Sequence, residues 1–174
     1  MSLNVMDVDS KEVVDVIPGD VNPVAHAWHT KNRVAWLPDN SGFYYTRCPS
    51  AVTAGEARFN HKLYFHRLGD DWRADAMVFG ETLKREQTPY PQLSPDGRYL
   101  MALVQDLSGA SPRSQLYLLD REDSQRGFIP IVSDVEAFIS AAVRARCSGV
   151  SASSSASSST CIGPGKRFNS AVRA

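Results

Sequence analysis

Short runs of apolar and aromatic residues, separated by tight-turn sequences, fill the first 138 residues of the chain. Proline, glycine or an Asp-rich turn interrupts each run before ten residues have passed, which disfavours helices. The runs have the length and the flanking turn residues of β-strands. We therefore predict an all-β fold. Its strands are expected at residues 3–9, 13–17, 34–37, 43–47, 62–68, 76–79, 92–94, 99–105, 115–120 and 128–132.

The strand-turn-strand pattern repeats along the chain. Residues 37–45 read LPDNSGFYY and are echoed by residues 93–101, LSPDGRYLM; residues 63–70 are echoed in the same way by residues 116–122. In the turns, proline fixes φ, aspartate bonds its own backbone, and glycine accepts a positive φ. The repeat is about 55 residues long and holds four strands, as a β-propeller blade does.

The chain contains about two and a half such units. Residues 3–9 are a fainter copy of a third strand, and residues 13–17 follow as the outer strand of the same unit. We therefore predict a partial β-propeller of four-stranded antiparallel blades over residues 1–138, beginning in the middle of a blade. Because each blade buries its faces against neighbours, uncovered faces and edges predict marginal stability or self-association.

The pattern changes abruptly after Phe138. Residues 148–159 contain eight serines in twelve positions, a composition that buries too little apolar surface to order itself. Residues 139–174 are therefore predicted to be an aberrant tail, disordered beyond Cys147. Before that point Asp134 is a candidate cap for a helix over residues 135–146. A reading-frame shift near residue 139 or 140 explains this tail, and a natural serine-rich linker is the alternative.

Charge and apolar-run length exclude several partners. The chain has 19 basic and 19 acidic residues, so it lacks the positive surface that nucleic acid or an anionic membrane requires. It has no membrane-span run and no leader-like sequence in residues 1–9, and we expect a cytoplasmic protein. Cys48, Cys147 and Cys161 are odd in number and far apart, which indicates unreactive thiols in a reducing compartment.

Residues 149–153, Gly-Val-Ser-Ala-Ser, are the nearest approach to a serine nucleophile motif. The G-x-S-x-G elbow requires a preceding strand, a glycine at the fifth position and a later histidine, and all three are lacking here. We therefore predict no catalytic residue in this sequence.

Two histidine pairs and one acidic turn are candidate metal ligands. Zinc requires three or four ligands held together, and neither pair supplies them. The acidic turn lacks the spacing of a calcium loop. We predict no metal site and no cofactor, with partly exposed histidines and a solvated acidic turn. The residues concerned are His26 and His29, His61 and His66, and Asp70, Asp71 and Asp75.

An aromatic cluster lies on the first three predicted strands of the first full unit. It has the composition of a stacking platform for a ligand or single-stranded nucleic acid. Only Arg47 and Arg67 are interleaved with it, and alternation along strands favours core packing instead. The cluster comprises Trp36, Phe43, Tyr44, Tyr45, Tyr64 and Phe65.

Three segments together resemble the propeller of prolyl oligopeptidases. They are residues 36–45, WLPDNSGFYY, residues 60–69, NHKLYFHRLG, and residues 93–100, LSPDGRYL. The resemblance covers residues 3–138. It implies a seven-bladed propeller that lies over an α/β-hydrolase domain and admits short peptides. That hydrolase domain cleaves after proline with a Ser, Asp and His triad, and we expect it to be absent from this sequence.

The same resemblance indicates two loops as elements of the gate. Residues 49–60 match a loop that borders the substrate entrance, and residues 108–113 match one that points toward the active site. Solvated turns are the alternative for both. The residue types of the second loop differ from those of the family, so no substrate-contacting residue carries over.

The sequence leaves three interpretations. The first is a catalytically silent fragment of a prolyl oligopeptidase-type serine peptidase, whose parent takes short proline-containing peptides through its hydrolase domain. The second is a stand-alone propeller that acts as a binding module. The third is a nonfunctional product of a truncated or frameshifted gene.

Overall fold

The computed structural model describes residues 2–18, 34–48, 59–106, 108–137 and the strand 168–173. Within these ranges eleven β-strands form three antiparallel sheets. The strands are β1 (Ser2–Asp7), β2 (Val13–Ile17), β3 (Val34–Trp36), β4 (Gly42–Arg47), β5 (Lys62–Arg67), β6 (Ala76–Phe79), β7 (Gln87–Leu93), β8 (Tyr99–Asp106), β9 (Arg113–Asp120), β10 (Ile129–Val135) and β11 (Phe168–Arg173).

Two of the sheets are four-stranded meanders in which sequence neighbours pair, in the orders β3-β4-β5-β6 and β10-β9-β8-β7. We call them blade 2 and blade 3. They confirm the two predicted four-stranded units. The largest boundary difference is at β7, which starts at Gln87 rather than residue 92 because Pro89 and Pro91 lie inside it. β7 is an edge strand of its sheet, and prolines two residues apart both direct their missing N–H toward the free edge.

The turn chemistry of the repeat is confirmed for aspartate in both copies. Asp39 Oδ1 accepts a hydrogen bond from the Ser41 amide at 3.0 Å, and Asp96 Oδ1 accepts one from the Arg98 amide at 3.1 Å. The positive φ is at Gly97 (74°) in the second copy, as predicted, but at Asn40 (58°) in the first. The prediction was therefore wrong for Gly42, which lies in β4 and is needed there for a different reason.

Gly42 allows the backbones of β4 and β5 to approach closely. A Cβ atom built on Gly42 would lie 2.4 Å from the carbonyl oxygen of His66 and 3.2 Å from Cα of Arg67. Both are backbone atoms, so neither can rotate away from the added carbon. Glycine is thus required here by contact and not by a left-handed conformation.

One face of blade 2 packs against the first sheet, which we call blade 1. Phe43, Tyr45 and Tyr64 bury their rings against this sheet. Blade 1 contributes three side chains that are fully buried, namely Leu3, Val5 and Ile17.

The opposite face of blade 2 packs against blade 3. Tyr44 and Leu63 meet Leu100 and Ala102 in a second buried cluster. Across the same interface Thr46 Oγ1 donates to the Pro89 carbonyl at 2.6 Å. The aromatic cluster of the sequence analysis is therefore core packing, as predicted, with Trp36 and Phe65 at its half-buried margin.

Blade 1 has the strand order β11-β1-β2. β11 occupies the position of the second strand of a blade, because it pairs with β1 as β4 pairs with β5 and as β8 pairs with β9. Ser2 pairs with Arg173 and Asp7 with Phe168. β11 belongs to the segment for which the composition predicts disorder, so the structure differs from that prediction at these six residues.

The predicted helix cap is also wrong. Asp134 and Val135 are the last residues of β10, and Asp134 pairs with Arg113 across the sheet instead of capping a helix. Residues 138–146 of the predicted helix lie outside the described residues. Within the described ranges, no helix is long and apolar enough to cross a membrane.

The outer edge of blade 1 is apolar and partly exposed. Val13, Val14 and Val16 of β2 have 57, 47 and 46% of their surface accessible. This agrees with the expectation of uncovered apolar edges, whereas the self-association inferred from it stays a prediction.

A chain that ends at residue 167 is expected to lose protection in β1. Removal of β11 leaves the backbone groups of Ser2–Asp7 that face it without partners. Amide hydrogen exchange in β1 should become at least about tenfold faster, and size-exclusion chromatography should show larger species. A chain that lacks only Ala174 is the matched control. Unchanged exchange in β1 after the longer truncation would contradict the pairing.

Candidate functional site

In each of blades 2 and 3 the second strand ends and the third strand begins at the same end of the blade, at Arg47 and Lys62 in blade 2 and at Asp106 and Arg113 in blade 3. We call this end the loop end. The sequence between these strands forms the β4–β5 and β8–β9 connections. These connections contain the two predicted gate loops. Residues 49–58 of the first loop lie outside the described residues, so the description below concerns blade 3.

A cavity of about 260 Å³ opens at the loop end of blade 3. It is bounded by the start of β7, the end of β8, the start of β9, the end of β10 and the segment that leads into β7. Its lining residues are Thr82, Leu83, Lys84, Gln87, Asp106, Arg113, Gln115, Tyr117 and Asp134.

Charged side chains hold both ends of the second predicted gate loop. Asp106 Oδ1 accepts hydrogen bonds from the Ser108 amide at 3.0 Å and the Ser108 hydroxyl at 2.6 Å. At the other end, Arg113 Nε and Nη2 donate to the two carboxylate oxygens of Asp134 at 2.8 and 2.7 Å. The Arg113 hydrogen bond lowers the pKa of Asp134, and the same bond raises the pKa of Arg113. Each end of the loop is thus fixed to a strand.

The cavity wall is polar and its charges balance. Lys84 and Arg113 are opposed by Asp106 and Asp134. The Lys84 amide donates to Gln87 Oε1 at 3.0 Å, which fixes the segment that leads into β7. A wall of this kind can offer hydrogen bonds to a neutral polar group such as a peptide unit, but it has no excess charge for an ionic ligand.

One hydroxyl–histidine pair among the described residues has the composition of a nucleophile and its base. Thr88 Oγ1 and His61 Nδ1 are 3.4 Å apart, longer than the distance such a pair needs, about 2.6–3.2 Å. Thr88 is 6% exposed and His61 fully buried, so no substrate reaches them. The pair is part of the packing between blades 2 and 3.

His66 and Asp75 differ most from their predicted surroundings. Both histidines of the second predicted pair are fully buried, not partly exposed. His66 Nδ1 lies 2.9 Å from Asp75 Oδ1, and His66 Nε2 lies 2.9 Å from Asp15 Oδ2. Asp75 was expected in a solvated turn, but its side chain is only 3% exposed because it is directed at His66. Asp71 does remain in the exposed turn, where it caps a 3-10 turn through the Arg73 amide.

Sequence reasoning missed Asp15 as a member of this cluster. Two signals were present. Asp15 is the one charged residue of the strand sequence VVDVI, and Asp75 follows the histidine of the H-x-L-G motif by nine residues. Neither signal identifies the partner, because Asp15 and His66 are brought together only by the packing of two blades.

The described residues contain no group of three or more His, Cys, Asp or Glu side chains that is arranged to hold a metal ion. His26 and His29 lie outside those residues, as do Cys147, Cys161 and the motif at residues 149–153. Cys48 is buried, and its Sγ contacts the Phe59 carbonyl oxygen at 3.1 Å.

Two four-stranded antiparallel meanders packed face to face, with a third sheet on the far side of blade 2, are consecutive blades of a β-propeller. The sequence matches the family described as prolyl oligopeptidase, N-terminal β-propeller domain, over residues 1–146. The chain belongs to this family.

Individual relatives agree with this assignment. Prolyl oligopeptidase A of Galerina marginata is 26% identical over 120 residues, which are 64% of this chain and 15% of the relative. A prolyl endopeptidase of Elizabethkingia miricola is 25% identical over 134 residues, 76% of this chain and 17% of the relative. The chain thus spans less than a fifth of these relatives.

A solved structure from a study of two prolyl endopeptidases, concerned with inter-domain dynamics in catalysis and specificity, has the same fold. It is 28% identical, has a TM-score of 0.58, and is matched over 78% of this chain and 18% of its own length. The part of the family that this chain matches is the N-terminal propeller domain, and the match covers only a small share of the relatives' length.

Proposed function

We propose that this chain forms part of the substrate gate of a prolyl oligopeptidase-type serine peptidase that hydrolyses short proline-containing peptides. The hydrolase domain is supplied by a part of the protein outside this sequence. Support comes from the family match over residues 1–146 and from relatives named as prolyl oligopeptidases or endopeptidases.

The geometry at the loop end of blade 3 is the main support for the gating role. Residues 108–113, which resemble a loop directed at the active site, lie between two fixed ends at Asp106 and Arg113. The adjoining cavity presents balanced polar groups suited to a peptide backbone. A loop that is tied at both ends and adjoins a polar cavity is suited to restrict the size of peptides that pass it, which supports the gating role.

We propose that the parent protein acts in the cytoplasm. Support comes from the cysteine usage of the sequence, because Cys48, Cys147 and Cys161 are odd in number and far apart.

The test of gating transfers the loop. Residues 106–113 replace the corresponding loop in the prolyl endopeptidase of Elizabethkingia miricola, and kcat/KM is measured for a chromogenic Gly-Pro substrate and for proline-containing peptides of increasing length. The small substrate should be cleaved within about threefold of the parental rate, since no catalytic group is exchanged. The ratio of long to short peptide cleavage should change by at least about fivefold.

The matched control transfers residues 120–127, a turn at the opposite end of blade 3. This variant should keep the parental length preference. An unchanged preference in both variants would refute the gating role of the loop. Turnover of the Gly-Pro substrate by the isolated 174-residue chain, sensitive to a serine-directed inhibitor, would refute its assignment as a catalytically silent propeller.

A further inference from the structure

His66 lies between two carboxylates that come from different blades. Asp15 is in β2 of blade 1, whereas His66 and Asp75 belong to blade 2. The His66 side chain is fully buried, and the side chains of Asp75 and Asp15 are 3 and 12% exposed. The cluster therefore links two blades in a place that bulk water scarcely reaches.

The geometry of the cluster requires a doubly protonated imidazole. Both ring nitrogens of His66 are 2.9 Å from a carboxylate oxygen. A carboxylate accepts hydrogen bonds but has none to donate, and a neutral imidazole has a single N–H. Loss of the proton would thus direct a nitrogen lone pair at one of the two carboxylates. Only the imidazolium satisfies both contacts at once.

Each carboxylate also accepts other hydrogen bonds. Asp15 Oδ1 accepts from the Val16 amide at 2.8 Å, and Asp15 Oδ2 accepts from the Gly69 amide at 3.1 Å. Asp75 Oδ2 accepts from the Tyr45 hydroxyl at 2.6 Å. Both acids are thus placed as hydrogen-bond acceptors, which matches the two N–H groups that an imidazolium directs at them.

The elements around His66 contribute few other titratable groups. Blade 1 presents Leu3, Val5 and the buried Asp7 from one face of β1, and Asp15 from β2. From β4, Tyr45 donates to Asp75, and Arg47 on the same face lies over the Tyr64 ring at 4.1 Å. Burial raises the pKa of Tyr45, so the phenol keeps its proton and remains a donor.

Burial lowers the pKa of His66, but the hydrogen bonds and charges of Asp15 and Asp75 outweigh it, so the net shift is upward. A histidine whose pKa is higher in the folded state adds stability that is fully present below its ordinary value of 6.5. That stability is lost as the pH rises through the folded value. The contact between blades 1 and 2 is therefore expected to weaken as the pH rises through the folded pKa of His66.

We propose that Asp15, His66 and Asp75 form a protonation-controlled latch between blades 1 and 2, closed while His66 is an imidazolium and released when it loses its proton. The latch is a regulatory device of the propeller itself and does not rest on the proposed peptidase function. It offers a means by which pH sets how firmly neighbouring blades are joined.

The test is an NMR titration of the full chain labelled with ¹⁵N histidine, from about pH 5 to pH 10. One of the four histidines should keep imidazolium ring shifts above pH 6.5, because its pKa is raised. In Asp15→Asn its midpoint should fall by about one unit or more, because one carboxylate is removed. Asp71→Asn, in the neighbouring exposed turn, is the matched control and should leave the midpoint unchanged.

The backbone amide of Gly69 reports the latch independently of the ring. It donates to Asp15 across the blade interface, so its chemical shift should move with the same midpoint as His66 in the unaltered chain. A His66 midpoint at or below 6.5, or a Gly69 amide that does not follow it, would overturn the proposal. Both observations are made on the unaltered chain, so they test the proposed latch even if Asp15→Asn fails to fold.

Discussion

Gly42→Ala is expected to lower the free energy of unfolding by about 3 kcal/mol or more. The added Cβ would lie 2.4 Å from the His66 carbonyl oxygen, well inside van der Waals contact. Relief requires the β4 and β5 backbones to separate, which disturbs the ladder that pairs Gly42 with Arg67. Urea denaturation followed by tryptophan fluorescence measures the change.

Gly109→Ala is the matched control for this substitution. Its Cβ would meet the Ser111 carbonyl oxygen at 3.6 Å, an ordinary contact. Its effect on the free energy of unfolding should stay within about 0.5 kcal/mol. If the two alanine variants unfold within about 1 kcal/mol of each other, the close approach at Gly42 is not a constraint on the fold.

Leu100→Ala is expected to cost about 2–5 kcal/mol of the free energy of unfolding. Leu100 is fully buried between blades 2 and 3, and its truncation leaves a cavity that paired strands on both sides cannot fill. Met77→Ala provides the comparison, because 44% of Met77 is exposed and its loss should cost less than about 1 kcal/mol. Equal urea midpoints for the two variants would show that blades 2 and 3 do not share the described core.

The strands of blades 2 and 3 are predictable from sequence because local chemistry sets their ends. The aspartates of the two Pro-Asp turns bond the amide two residues on, which stops one strand and starts the next. The predicted strand starts at residue 92 instead of Gln87, because Pro89 and Pro91 interrupt the sequence pattern of a strand. Both prolines are accepted because β7 is an edge strand. Whether a strand lies at an edge depends on the whole sheet and cannot be read from the segment alone.

The cluster around His66 and the strand β11 could not be predicted for a related reason. Asp15 and His66 are on different blades, and β11 pairs with the other end of the chain. Composition describes whether a segment can order itself alone. It contains no information about an edge strand elsewhere in the chain with which the segment can form hydrogen bonds.

The loop end was predictable only by resemblance. Residues 108–113 are indicated by their resemblance to a loop of the family, whereas the hydrogen bonds at Asp106 and Arg113 depend on partners that the sequence pattern does not reveal. Asp134, the partner of Arg113, was expected to cap a helix. Predicting the contact between Arg113 and Asp134 therefore requires knowledge of the register in which β9 pairs with β10.

The pairing of β1 with β11 has a consequence for the order of folding. Blades 2 and 3 are meanders of sequence neighbours, so each can form from local contacts at a small cost in loop entropy. Ser2 meets Arg173 only after nearly the whole chain has been closed into a loop. Blade 1 is therefore expected to be the last sheet to be completed, and until β11 joins it, β1 presents an open edge along Ser2–Asp7.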